Sequence, residues 1–178
     1  MQYSVSIVND LEPHDLIRLN AADGWLGFDN VVEADKELKQ ITPTMQRHPE
    51  VLAMRCEMFA EAECWPKCEE VAEEIILLET ESTFGWIRRS FVLHEQDLTA
   101  TAREKLLPAV DLFPDDITIR YKLACYECVL GNMRQAKLHL AEAFNLAHNQ
   151  NCTDEWKLQM LGDPGLKPLW GIWDEVEI

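Results

Sequence analysis

Glycine is scarce in this chain, with seven among 178 residues. There is no Gly-rich loop of the kind that cradles phosphate groups and no nucleophile elbow, so a nucleotide site and a hydrolase-type serine are not expected. Basic residues are also few, 16 Lys and Arg against 32 Asp and Glu. The net charge of −16 repels phosphate, which argues against nucleic acid and anionic membranes as partners. No window approaches the roughly 18–20 apolar residues that a membrane span needs. The N-terminal stretch Met1–Asp10 has no basic region and only scattered apolar residues, so it does not read as a signal peptide. Strand-like alternation is absent beyond a few residues, apart from Tyr3–Val8. Four of the five histidines, His14, His48, His139 and His148, show no metal-ligand spacing.

What is present is an ordinary globular balance, 47% hydrophobic and 27% charged. The length suits one domain or one short repeat array, with enough chain to bury a core without staples. The six cysteines are even in number, but a chain of this length is not a small disulfide scaffold. In a helix, the β-carbons of Cys125 and Cys128 stand ~5–6 Å apart. A relaxed disulfide wants ~3.8 Å. The thiols are therefore expected to be reduced and the protein cytoplasmic.

Shifting the sequence by 34 residues superimposes small and apolar residues. Ala22, Cys56, Ser90 and Ala124 form one column, and Ala34, Cys68, Ala102 and Ala136 a second. Leu38, Ala72, Leu106 and Leu140 form a third, and Ile41, Ile75, Ala109 and Ala143 a fourth. Small side chains recurring in this way let antiparallel helices approach closely. Prolines at 49, 66, 108 and 114 punctuate the helical stretches, and Gly131-Asn132 marks a turn. The predicted helices are 12–26, 29–47, 49–63, 66–80, 83–95, 98–112, 115–130 and 133–148. A short helix over Asp154–Leu161 and a turn at Asp163-Pro164-Gly165 leading to Trp170 are expected beyond them.

The unit 83–116 carries Trp86, Ser90, Leu93, Ala102-x3-Leu106, Ala109 and Pro114. The next unit carries Leu123-Ala124, Gly131, Ala136-x3-Leu140 and Ala143. This pattern resembles the tetratricopeptide repeat (TPR) family, and the whole is similar to small bacterial proteins of that family. Arg55 and Arg89 depart from the pattern, standing where the family has Leu, and Glu127 stands in an aromatic slot that Trp25 and Phe59 keep. The resemblance implies an all-α, right-handed α-solenoid of about four helix-turn-helix repeats, at 15–48, 49–82, 83–116 and 117–150. Residues 1–14 would precede the array, and 151–178 would form a C-terminal capping helical element in which Trp156, Leu166, Leu169, Trp170 and Trp173 cover the last apolar face.

By the same resemblance, the first helix of each repeat lines a concave groove that docks a peptide or protein segment, without catalysis, metal or cofactor. The positions that would face the groove are Met54, Glu57, Phe84, Ile87, Arg88, Phe91, His94, Tyr121, Lys122, Cys125 and Cys128. Arg88 and Lys122 occupy equivalent positions 34 apart. Two cations on one face of an acidic protein suit a carboxylate or an acidic peptide, with Phe84, Phe91 and Tyr121 as apolar anchors. Alternatively they pair with Glu57 or other acids of the groove. The clamp that some family members use for chaperone tails is not expected, because its positions hold Ala53, Glu57 and Thr118.

Other readings belong to other classes. A secretion-type chaperone of the same repeats would shield an aggregation-prone partner. A thiol or zinc module would use Cys125 and Cys128, with His94 as a base for one of the thiols. Cys56 and Cys68, however, sit in small-residue columns, where cysteine behaves as a small hydrophobe, and Cys125 and Cys128 fall mid-helix rather than in a ligand-bearing turn. The stretch 49–82 holds ten acids against Arg55 and Lys67, a charge of −8, and reads as a solvated face. Self-association through Trp170 and Trp173, or through the groove, would make a homo-oligomer. The segment 1–12 would be the chain's own candidate to fill the groove.

Overall fold

The computed structural model describes residues 10–175, with side chains described as far as Trp170. Tyr3–Val8, most of the segment 1–12 and the Trp173 side chain lie outside the described residues. Among the described residues there is no strand. The chain divides into two compact units, Met1–Thr80 and Glu81–Ile178.

The first unit packs α1 (Pro13–Leu26) with α2 (Val31–Lys39) and α3 (Pro49–Glu61) with α4 (Trp65–Leu78). Proline stands in the first turn of α1, α3 and α4, where a helix has no use for the missing N–H. Asn30 caps α2, its Oδ1 accepting from the Glu33 amide at 3.2 Å. The helix expected over 29–47 is shorter than the periodicity implies. It ends at Lys39, and a 3-10 turn, Pro43–Met45, follows. Thr42 is extended before Pro43, as the ring of a following proline demands. A buried carboxylate fixes this turn: Asp15 Oδ1 accepts from the Thr42 amide at 2.8 Å and from its hydroxyl at 3.0 Å. The Thr42 amide is the main cause holding the Asp15 carboxyl below the usual carboxylate range.

The second unit comprises α5 (Phe84–Glu95), α6 (Thr99–Leu106), α7 (Ala109–Leu112), α8 (Ile117–Val129), α9 (Met133–Asn149) and α10 (Thr153–Gly162). A 3-10 segment, Pro164–Glu175, closes it. The expected helix 98–112 is broken into α6 and α7 at Leu107–Pro108, where the proline ring supplies no amide to continue the ladder. Asp116 caps α8, accepting from the Ile119 amide at 2.9 Å.

The four columns of the period all lie in the core. Every member of the first three is fully inaccessible to solvent, and the fourth is at most 3% exposed. Leu38, Leu106 and Leu140 each contribute about 1.5–3 kcal/mol by leaving water. Ser90, the polar member, donates to the Ile87 carbonyl at 2.8 Å and accepts from the Tyr126 hydroxyl at 3.1 Å. Arg55 and Arg89, which depart from the repeat pattern, are also accommodated. Arg55 donates to Gln46 Oε1 and to the Leu38 carbonyl at 3.5 Å. Arg89 donates to the Lys105 carbonyl at 3.2 Å and lies 5.2 Å from the Trp86 ring centre. Glu127, nearly buried, accepts from Asn132 Nδ2 at 2.6 Å and faces Arg103 at 3.5 Å.

The period reappears in the backbone. Asp29, Glu63, Asp97 and Gly131 all take left-handed φ, at 55°, 51°, 62° and 78°. They are spaced by 34 residues, and each ends the first helix of a pair. The amide after each one bonds back over a 6→1 span: Asn30 to Trp25, Cys64 to Phe59, Leu98 to Leu93 and Asn132 to Glu127, at 2.8–3.0 Å. This Schellman closure satisfies the orphan carbonyls and reverses the chain into the second helix.

Candidate functional site

One turn of helix spacing assembles the site. Phe84, Arg88 and Phe91 lie at i−4, i and i+3 on α5, so they share a face. The Arg88 guanidinium lies 5.5 Å from the Phe84 ring centre and 5.7 Å from that of Phe91. Cation–π attraction thus holds the long side chain over its own helix. Lys122 comes from α8, its ammonium 5.3 Å from the Tyr121 ring centre. Together with Ser82, Thr83 and Ile87, these side chains line a cavity of about 450 Å³ within the second unit. The N-terminus of α5 contributes to its lining. The Phe84 amide there donates to Ser82 Oγ at 3.3 Å. A helix N-terminus adds positive potential to that of the two cations.

Of the residues singled out in the sequence, the cavity brings together Phe84, Ile87, Arg88, Phe91 and Lys122. Met54 and Glu57 lie on α3, in the first unit, and both are half-buried. Met54 packs against that unit's core. His94 stays on α5 but turns to other partners, with Nδ1 2.9 Å from the Thr99 hydroxyl and its ring 5.0 Å from that of Tyr126.

Tyr121, Cys125 and Cys128 are buried beneath the chain's own C-terminal segment. Met160, Leu166 and Leu169 pack over them, and Trp156 meets the Tyr121 ring edge-on at 5.7 Å. The Tyr121 hydroxyl donates to Asp163 Oδ2, and the Cys125 thiol points to the same oxygen at 3.6 Å. Asp163 Oδ1 accepts from the Gly165 amide at 2.7 Å, which shapes the turn. A side chain at 165 would meet Asp163 Oδ1 at 3.0 Å and Cys125 Cβ at 3.6 Å, so glycine suits this approach. The segment that fills this end of the face is thus the C-terminal one. Burial pushes the Cys125 thiol far up and the Cys128 thiol up to about 11, with Asp163 adding to both shifts. Thiols in that state are poor nucleophiles and poor metal ligands at neutral pH. A Cys125–His94 nucleophile pair is not formed either, because the hydrogen bonds of each go elsewhere.

Sequence reasoning missed Ser82 and Thr83 in the cavity and Asp163 in the cap. The helix start after Ser82-Thr83 was legible, but the aim of Asp163 was not. A second cavity, of about 570 Å³, lies in the first unit between α2, α3 and α4. Arg55, Met58 and Phe59 form one side, and Lys67 and Val71 another. Among the described residues, no helix is long and apolar enough to cross a membrane, and no group of three or more His, Cys, Asp or Glu is placed to hold a metal.

No protein-family model and no curated protein matches the chain. Solved structures do. The chain is similar to the MamA RS-1 ArsTM double mutant, at 12% identity and a TM-score of 0.64, over 78% of this chain and 79% of that one. It is similar to MamA MSR-1 C2 at 12% identity and a TM-score of 0.61, over 76% and 78%. At that identity the likeness speaks for the fold alone, and the fold it shows is an all-α, TPR-like helical repeat of the α-solenoid class.

Proposed function

We propose that this chain is a non-catalytic protein-interaction module. Its recognition site is the α5–α8 cavity of the second unit, and its ligand is a peptide segment carrying a carboxylate next to an apolar side chain. The observation that carries this reading is the convergence of Arg88, Lys122 and the α5 N-terminus on one cavity walled by Phe84, Ile87 and Phe91. The chain as a whole carries −16, so a local positive site is set against a repulsive background, which favours placement of an acid there. Arginine offers a planar fork to the carboxylate and lysine a point charge. The aromatic walls supply the anchor energy. The helical-repeat fold supports a scaffold role at the level of architecture.

The test is selection from a displayed random peptide library. The intact chain should enrich sequences with Asp, Glu or a terminal carboxylate beside an aromatic or branched aliphatic residue. An Arg88→Glu, Lys122→Glu variant of equal helicity should lose that enrichment. Selection of basic peptides, or the same peptides from both proteins, would remove the cavity from consideration.

A further inference from the structure

The two small-residue columns of the repeat are fully buried in all four repeats. Three of the four repeats fill them with combinations of alanine and serine: Ala22 with Ala34, Ser90 with Ala102, and Ala124 with Ala136. The second repeat alone puts cysteine in both, Cys56 on α3 and Cys68 on α4. The structure brings their sulfurs to 3.2 Å. Each thiol also points at the other residue's backbone carbonyl, Cys68 Sγ to Cys56 O at 3.1 Å and Cys56 Sγ to Cys68 O at 3.6 Å. Both side chains are fully buried. A disulfide has an S–S separation of about 2.05 Å, so closure asks for roughly 1 Å of further approach between two facing side chains. By contrast Cys125 and Cys128 share one helix, and Cys64 and Cys68 are one turn apart on α4 and its N-cap.

We propose that Cys56 and Cys68 are a thiol–disulfide pair that closes by exchange with a small-molecule disulfide such as glutathione disulfide, joining α3 covalently to α4. In the first step one cysteine thiolate attacks a sulfur of glutathione disulfide, forming a mixed disulfide and releasing one glutathione thiolate. In the second, the other cysteine displaces the remaining glutathione. Two protein thiols are oxidised by two electrons, one disulfide is reduced to two glutathione thiols, and the two protons pass to those thiolates. Because both sulfurs are buried, exchange takes place when the α3–α4 pair opens or before it has closed in folding. Closure would bear on the first unit's cavity. Arg55 precedes Cys56 and Lys67 precedes Cys68, and both line that cavity, so the bond fixes the spacing of its two walls. This inference is independent of the peptide site in the second unit.

The experiment refolds the full chain from denaturant in glutathione buffers of increasing oxidised fraction, so that burial does not limit access. Remaining thiols are then alkylated under denaturing conditions, and the products are read by intact mass and peptide mapping. The expected result is protection of two of the six thiols, with a crosslinked peptide that joins Cys56 to Cys68. The oxidised chain should melt higher than the reduced one by roughly 10 °C, as a short closed loop in a chain of this length implies. Cys56→Ser and Cys68→Ser variants, each refolded alongside, should keep their remaining thiols and show no such rise. Glutathione adducts without a crosslink would overturn the proposal. So would a crosslink through Cys64, Cys125, Cys128 or Cys152, or loss of two thiols in both serine variants.

Discussion

The Tyr121 hydroxyl donates a hydrogen bond to Asp163, a residue 42 positions further along the chain. That bond ties α8 to the turn that opens the C-terminal cap, and the cap then buries Cys125, Cys128 and the Tyr121 ring itself. The face of α8 that carries these residues is therefore occupied by the protein's own chain. The cations Arg88 and Lys122 line a cavity beside that covered region rather than under it.

Removing the tie should loosen the cap. Asp163→Ala should cost about 1.5–3 kcal/mol in denaturant unfolding, the range for a hydrogen bond to a charged acceptor. It should also raise the rate at which Cys125 reacts with a thiol reagent in the folded state. Unchanged Cys125 reactivity would mean that the apolar contacts of Leu166 and Leu169 hold the cap without Asp163.

The recurring left-handed turn offers a stability test in both directions. Glu63 holds φ 51° with a full side chain, whereas Gly131 fills the equivalent place at no steric cost. Glu63→Gly is expected to stabilise the protein by up to about 1 kcal/mol, and Gly131→Ala to destabilise it by about the same. No atom lies near the Cβ that Gly131→Ala would add, so the cost would come from φ alone.

The small columns should reject bulk. Ala102 and Ala136 are fully buried in the core, and Ala102→Leu or Ala136→Leu is expected to cost about 1–3 kcal/mol by overpacking it. Thermal melts of the two variants, compared with Leu138→Ala on the exposed side of α9, would check this. Equal melting points for all three would refute close packing at these columns.

Stability should fall at high pH. Burial pushes the Tyr126 phenol up to about 12 and the Cys128 thiol up to about 11. Both pKa values are raised in the folded state, so the contribution is complete below the unfolded values near 9 and 10 and is lost as pH rises through 11 and 12. Unfolding free energy measured from pH 8 to 12 should decline from about pH 9 upward. For Cys128→Ala the decline should be shallower but begin at the same pH, because the buried Cys125 thiol is raised from the same ordinary value.

Binding at the cavity should be electrostatic in character. An acidic peptide taken from the library selection should weaken as salt rises, because an exposed part of the pairing is screened within about 10 Å at 0.1 M. Arg88→Lys should bind more weakly than wild type by several-fold, since lysine offers no bidentate fork and sits less well between Phe84 and Phe91. Affinity by fluorescence anisotropy separates the two cases, and equal affinity for both proteins would point to Lys122 as the sole charge partner.

Repeat length, helix pairing and core columns were legible in the sequence because they depend on local spacing: every residue of the 34-residue columns is buried where the period places it. The shared face of Phe84, Arg88 and Phe91 was legible for the same reason, as helical geometry alone puts them together. Where long-range contact decides, sequence reading stopped short. The end of α2 at Lys39 depends on Asp15 reaching Thr42, 27 residues away. The burial of Tyr121, Cys125 and Cys128 depends on the cap folding back, which no pattern within α8 records. The 3.2 Å approach of Cys56 and Cys68 needed the crossing of two helices to turn two column positions into one contact. Local spacing sets which faces are apolar. Only the tertiary structure decides which segment of the chain covers each face, because that choice is made by competing long-range contacts and the loops that allow them.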